Sequence, residues 1–113
     1  MKIYNRQEFM KLPPGTLFRK GKPCYFGNLQ IKADSLETDF VCMDIGEWEA
    51  QDSGDWSDKF DEMQDGKSIP MTDNFYGRDG EFDYEEVFLV LEKDDLRMLK
   101  FMVENAIELQ KGV

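Results

Sequence analysis

The sequence predicts an α+β domain: an antiparallel sheet of about five strands, a long C-terminal helix packed on it and two smaller helices. Three stretches predict it. Leu29-Gln30-Ile31-Lys32-Ala33 alternates apolar and polar side chains, the period of a half-buried antiparallel strand. Val87-Phe88-Leu89-Val90-Leu91 is an unbroken apolar run, expected for a central strand covered on both faces. Leu96, Leu99, Val103 and Ala106 recur at helical spacing near the C-terminus. At 113 residues the chain is expected to form a single domain, 1–113, large enough to bury a core without metal or disulfide staples.

Each element has a local reason. Asn5, followed three residues later by Glu8, has the form of a capping box, with Phe9 and Leu12 facing inward until Pro13-Pro14-Gly15 stops the helix. Thr16–Lys20 and Cys24–Phe26 read as a hairpin around Gly21-Lys22-Pro23. Leu29–Ala33 and Asp39–Ile45 are the next two strands, broken at Asp34-Ser35. Trp56, Phe60 and Met63 make an apolar stripe on a helix over roughly 56–65, capped by Asp55 or Ser57 and stopped by Gly66. Glu86–Leu91 is the fifth strand. Asp94 or Asp95 caps the last helix, which runs to about Lys111. Met98, Phe101, Met102 and Leu109 widen its apolar face beyond what one small sheet needs, so a homo-oligomer is expected.

Composition excludes several functions. The chain has no His, so it lacks an imidazole base and any Ser-His-Asp or Cys-His arrangement. No sequence feature pairs two carboxylates in a buried site, and the expectation is a protein that is not an enzyme and needs no cofactor. Cys24 and Cys42 both fall in strand-like runs and are expected to be buried free thiols. With no C-x-x-C, zinc has almost no ligands. No apolar run approaches the ~20 residues of a membrane span, and a cytoplasmic protein is expected.

The net charge of −10 is unevenly placed. Residues 1–33 carry seven basic side chains against Glu8 alone, whereas 44–65 carry nine acids against Lys59 alone. Such a balance repels long nucleic acid. The acidic segment also holds Trp48 and Trp56. Carboxylates in a row can occupy a groove built for phosphates, and Trp is a favoured interface anchor. Trp48, Asp52, Asp55, Asp58 and Asp61 are the candidate partner-binding residues of this face. Trp48, in the loop, is expected to be the exposed anchor and Trp56 to be core.

A second constellation lies on the basic side. Arg19, Lys20 and Lys22 crowd the first hairpin beside Tyr25 and Phe26, a combination that can hold phosphates by charge and a base by stacking. The stretch Phe75-Tyr76-Gly77-Arg78-Asp79-Gly80-Glu81-Phe82-Asp83 sets an Arg-Asp pair between two glycines, where a bidentate phosphate contact can form. Arg19, Lys22, Tyr25, Tyr76, Arg78 and Asp79 are therefore the candidate ligand residues, with Asp79 orienting Arg78 or accepting from a base edge. The same stretch resembles an EF-hand loop only superficially. With Asp79 at the third position, Gly77, Phe82 and Phe88 stand at the first, sixth and twelfth, and none suits its place.

Leu12-Pro13-Pro14-Gly15-Thr16-Leu17-Phe18, Ser68-Ile69-Pro70-Met71 and Tyr76-Gly77-Arg78-Asp79-Gly80 carry a likeness over nearly the whole length. In these motifs the chain resembles short proteins encoded by bacteriophages and prophages. The resemblance implies an antagonist of bacterial defence acting in the host cytoplasm. Two activities are expected from it: sequestration of a small cyclic nucleotide signal without cleavage, or inhibition of a defence protein complex through the acidic face 44–65, in the manner of a DNA mimic.

Overall fold

The structure is a computed structural model that describes residues 1–80 and 85–112. Glu81, Phe82 and Asp83 of the glycine-bracketed stretch lie outside the described residues. The elements run β1 (Lys2–Tyr4), α1 (Arg6–Phe9), β2 (Leu17–Lys22), β3 (Tyr25–Phe26), β4 (Gln30–Ser35), β5 (Phe40–Asp44), α2 (Ser53–Gln64), β6 (Gly77–Arg78), β7 (Val87–Val90) and α3 (Lys93–Gln110). The class is α+β, with a C-terminal helix and two smaller ones around an antiparallel sheet.

The sheet has seven strands among the described residues, in the order β1-β7-β2-β4-β5-β6, with β3 paired to the far end of β2. The two strands beyond the expected five are β1 and β6. Both are short edge strands of two or three residues, too brief to show a period-two pattern. β7 lies between β1 and β2, as its unbroken apolar run predicts.

Register explains the core. Phe18 opposes Val90 and Lys20 opposes Phe88 across β2 and β7. Phe18, Phe88 and Val90 therefore share a face, and Phe40 and Cys42 of β5 join it. Phe9 of α1 closes that face. Its ring stacks on Phe88 at 4.2 Å and tilts against Phe18 at 4.7 Å and Phe40 at 5.1 Å. All four phenylalanines are fully buried. Asn5 fixes the entry of α1, its side chain accepting from the Glu8 amide at 2.8 Å, as the capping pattern predicts.

The hairpin turn starts two residues later than expected, at Pro23-Cys24, because β2 continues through Lys22. Gly21 sits inside the strand, where a Cβ would lie 2.0 Å from the Tyr25 carbonyl oxygen, so only glycine fits. Cys24 takes the turn at φ 70°, which places it outside the sheet. It is exposed, contrary to expectation, whereas Cys42 is buried as expected.

α3 corrects a second expectation. It does not lie on the sheet. Its capping box is built from Glu92 and Asp95, the Glu92 amide donating to Asp95 Oδ2 at 2.9 Å, so the helix starts ahead of the anticipated Asp94 or Asp95 cap. Leu99 is half-buried, but every described residue from Lys100 onward is exposed. The physical reason is that the core closes without α3: Phe9 already fills the space above Phe18, Phe40 and Phe88.

Among the described residues, no helix is long and apolar enough to cross a membrane.

Candidate functional site

The Arg78-Asp79 tip is held by an ion network that joins distant parts of the chain. Asp79, its side chain 2% exposed, accepts from Arg6 Nη1 at 2.9 Å and Lys20 Nζ at 2.5 Å. Asp39, equally buried, accepts from Arg6 Nη2 at 3.3 Å, from Arg78 Nε at 3.1 Å and from the Gly80 and Phe40 amides. The expected Arg78–Asp79 partnership is therefore replaced: Asp39 orients Arg78, and Asp79 is consumed by Arg6 and Lys20. Gly80, at φ 98°, makes the turn that presents its amide to Asp39. Asp79 donates its own amide to the Phe40 carbonyl, which ties the tip to β5.

These groups titrate accordingly. Burial pushes the Asp39 carboxyl up, but the Phe40 and Gly80 amides and the Arg78 guanidinium outweigh it and hold it below the usual carboxylate range. Burial pulls the Lys20 ammonium down, and the Asp79 contact more than restores it, leaving it raised. Two carboxylates and three cations thus form one ion clamp. Burial pushes the Cys42 thiol up to about 11, which makes it unreactive at neutral pH.

Two of the concavities that touch the clamp include Lys20. One, of about 290 Å³, lies between β5 and β6 and includes Lys20, Gln30, Asp44, Glu47, Phe75, Arg78 and Asp79 in its lining. The other, of about 420 Å³, lies under the hairpin and includes Lys20, Lys22, Tyr25, Gln30, Asp44 and Glu86. They share Lys20, Gln30 and Asp44.

The structure thus groups Lys22 with Tyr25, and Arg78 with Asp79, in adjacent hollows joined by Lys20. Arg19 is excluded from both. Alternation along β2 turns it to the other side of the sheet, where Nε donates to the Gly27 carbonyl at 2.8 Å and Nη2 to the Phe26 carbonyl at 3.1 Å. Tyr76 is exposed and lines neither hollow. Arg78 keeps 69% of its side chain exposed although Asp39 holds its Nε. Acids outnumber bases around the joint hollow: Asp44, Glu47, Asp79 and Glu86 against Lys20, Lys22 and Arg78. That balance disfavours a phosphate-rich ligand. Among the described residues, no group of three or more His, Cys, Asp or Glu side chains could hold a metal ion.

The acidic face is organised by α2. Asp52 is its N-cap and accepts from the Asp55 amide at 2.8 Å. Asp55 accepts from the Gln51 amide and from Lys59 at 3.2 Å, which lowers its pKa. Neither Asp55 nor Ser57 is the cap; Asp52, one turn earlier, takes that place. Two of the predicted partner residues thus shape the helix itself. Asp58 and Asp61 are exposed, on the side opposite Trp56, Phe60 and Met63 at helical periodicity.

The tryptophan roles are the reverse of those expected. Trp48 is half-buried, with its indole nitrogen buried and unpartnered among the described residues. It stacks on Trp56 at 5.0 Å, and Trp56 stacks on Phe60 at 5.5 Å. Trp56 and Phe60 each remain 40% exposed. The i, i+4 spacing that suggested a core stripe is instead a stack folded over a loop tryptophan.

The residues that sequence reading missed are Arg6 and Asp39. Each sits far in sequence from its partners, and no local pattern marks a pairing of that range. No protein-family model, curated protein or solved structure matches the chain.

Proposed function

We propose that this protein is a non-catalytic inhibitor that binds a basic surface on another protein through the side of α2 that carries Asp58 and Asp61. One observation carries the reading. α2 turns Asp58 and Asp61 to solvent on the side opposite its aromatic stripe, clear of the Trp48–Trp56–Phe60 stack on the other side. Carboxylates presented in this way set approach and orientation toward a basic surface. The resemblance to phage-encoded proteins supplies the setting: a bacterial defence complex whose nucleic-acid groove is basic.

The test is phage infection of hosts carrying nuclease-based defence systems, with and without the protein expressed. The wild type should restore infection against its target system. Asp58→Asn with Asp61→Asn should lose that effect while keeping the wild-type unfolding curve, because neither side chain holds the fold. Retention of full activity by the double variant would end the proposal. Asp52 and Asp55 are poor choices, since their loss also uncaps α2.

A second reading, capture of a small cyclic nucleotide, rests on Lys22 and Tyr25 in one hollow and is opposed by the acids around it. A thermal-shift screen against cyclic di- and trinucleotides separates the two, because saturating ligand must raise the unfolding temperature.

A further inference from the structure

We propose that α3 is a dimerisation element, its apolar stripe covered by α3 of a second copy of this chain about a two-fold axis. Met98, Leu109, Met102, Ala106, Leu99, Val103, Leu96 and Ile107 fall within about half of the helix circumference at 100° per residue. The charged side chains Lys100, Glu104, Arg97 and Glu108 occupy the other half. This is the pattern of a helix with one apolar side to bury. Yet Met98, Met102, Val103, Ile107 and Leu109 are 51–77% exposed within the chain.

Surface area identifies the occupant. A compact monomer of 13.3 kDa exposes about 6,450 Å². This chain exposes 8384 Å². The excess, about 1,900 Å² over the whole chain, leaves ample room for the ~800 Å² that each partner contributes to a standard stable interface. The radius of gyration agrees: 16.2 Å, against about 13 Å for a compact chain of this length. A helix of 18 residues with most of its length unsupported is marginal in water. The stripe is self-complementary in chemistry, being aliphatic and methionine-rich with no charge along its middle. An isologous contact brings two such stripes together and leaves both polar halves in solvent.

The experiment is light scattering coupled to size exclusion on the full chain. At ~10 μM, a concentration at which an interface of this size holds two chains together, the wild type should run at twice its chain mass. Val103→Glu should raise the dimer dissociation constant at least about a hundredfold, because a charge is then buried on each side of the contact. Glu104→Ala, on the polar half, should leave it unchanged. Leu109→Ser, at the most exposed stripe position, is the mild variant should Val103→Glu not fold, and it should weaken the dimer about tenfold. A monomeric wild type overturns the proposal. So does a dimer that survives the stripe substitutions, since another surface would then hold it.

Discussion

The phenylalanine cluster and the α3 stripe are built from similar side chains and meet opposite fates. Phe9, Phe18, Phe40 and Phe88 come from one short helix and three strands, and each ring touches the other three within 6.0 Å. The α3 side chains come from one continuous helix and touch little else in the chain. The first group folds the domain; the second is available to something outside it. Burial follows from where the sheet ends and α1 sits, so apolar character alone does not tell core from interface.

The largest break in that comparison comes from phenylalanine at two addresses. Phe9→Ala removes the ring in contact with the other three and should cost about 3–5 kcal/mol of unfolding free energy in urea titration. Phe101→Ala removes an equally large ring from the polar side of α3 and should change stability by less than about 0.5 kcal/mol. Equal costs would mean that α3 is part of the folding core.

The ion clamp tests the boundary between these regions. Asp39→Asn removes one of the two carboxylates that hold Arg6 and the one that orients Arg78, and should cost about 2–3 kcal/mol near neutral pH. Acid should reveal the same group. The folded-state pKa of Asp39 lies below its unfolded value, so the folded protein binds fewer protons. Its contribution is complete above the unfolded value, near 4, and is lost as pH falls through the folded one. Wild type and Asp39→Asn should therefore converge in urea midpoint between about pH 4 and lower values. Parallel curves through that range would remove Asp39 as the source.

Local signals made most of the fold legible. The apolar run at Val87–Leu91 and the Asn5 cap placed β7 and α1 correctly, because period and capping act within a few residues; the alternation at Leu29–Ala33 located β4, but the strand runs on through Asp34 and Ser35, where a break was expected, over a register shift against β5. β1 and β6 were illegible because a strand of two or three residues is defined by its neighbour. The breadth of the α3 stripe was legible, but its separation from the sheet was not, because that depends on Phe9 reaching the core first. The site divided the same way. Lys22, Tyr25, Arg78 and Asp79 come to adjacent hollows, whereas Arg19 turns away because strand alternation sets it opposite Lys20. The true partners of the Arg78-Asp79 tip, Arg6 and Asp39, lie 73 and 39 residues from Asp79 and Arg78 respectively, and only folding pairs them.

The only expected gain belongs to Lys32. It is a charged residue inside the better-packed of the two regions, 1% exposed on the inner side of β4. Its ammonium donates to the Ala33 carbonyl at 3.1 Å and to Ser35 Oγ at 2.7 Å. Ser35 in turn donates to the Met10 carbonyl at 2.7 Å, so the chain of bonds ends on α1. Burial lowers its pKa, and Asp34 only partly offsets this. An ammonium with two neutral partners is a poor match for the charge it carries. Lys32→Met keeps the length of the side chain, removes the charge and leaves the Ser35–Met10 bond intact, so it should stabilise the fold by about 1 kcal/mol at neutral pH. The sign follows from proton binding. With the folded pKa below the unfolded one, the unfolded chain holds more protons, and wild-type stability rises as pH climbs through that window towards the ordinary lysine value near 10.4. The advantage of methionine should therefore shrink in alkaline urea titrations. A destabilised Lys32→Met would show instead that the two hydrogen bonds outweigh the cost of the buried charge, and that Lys32 belongs with the side chains that hold α1 to the sheet.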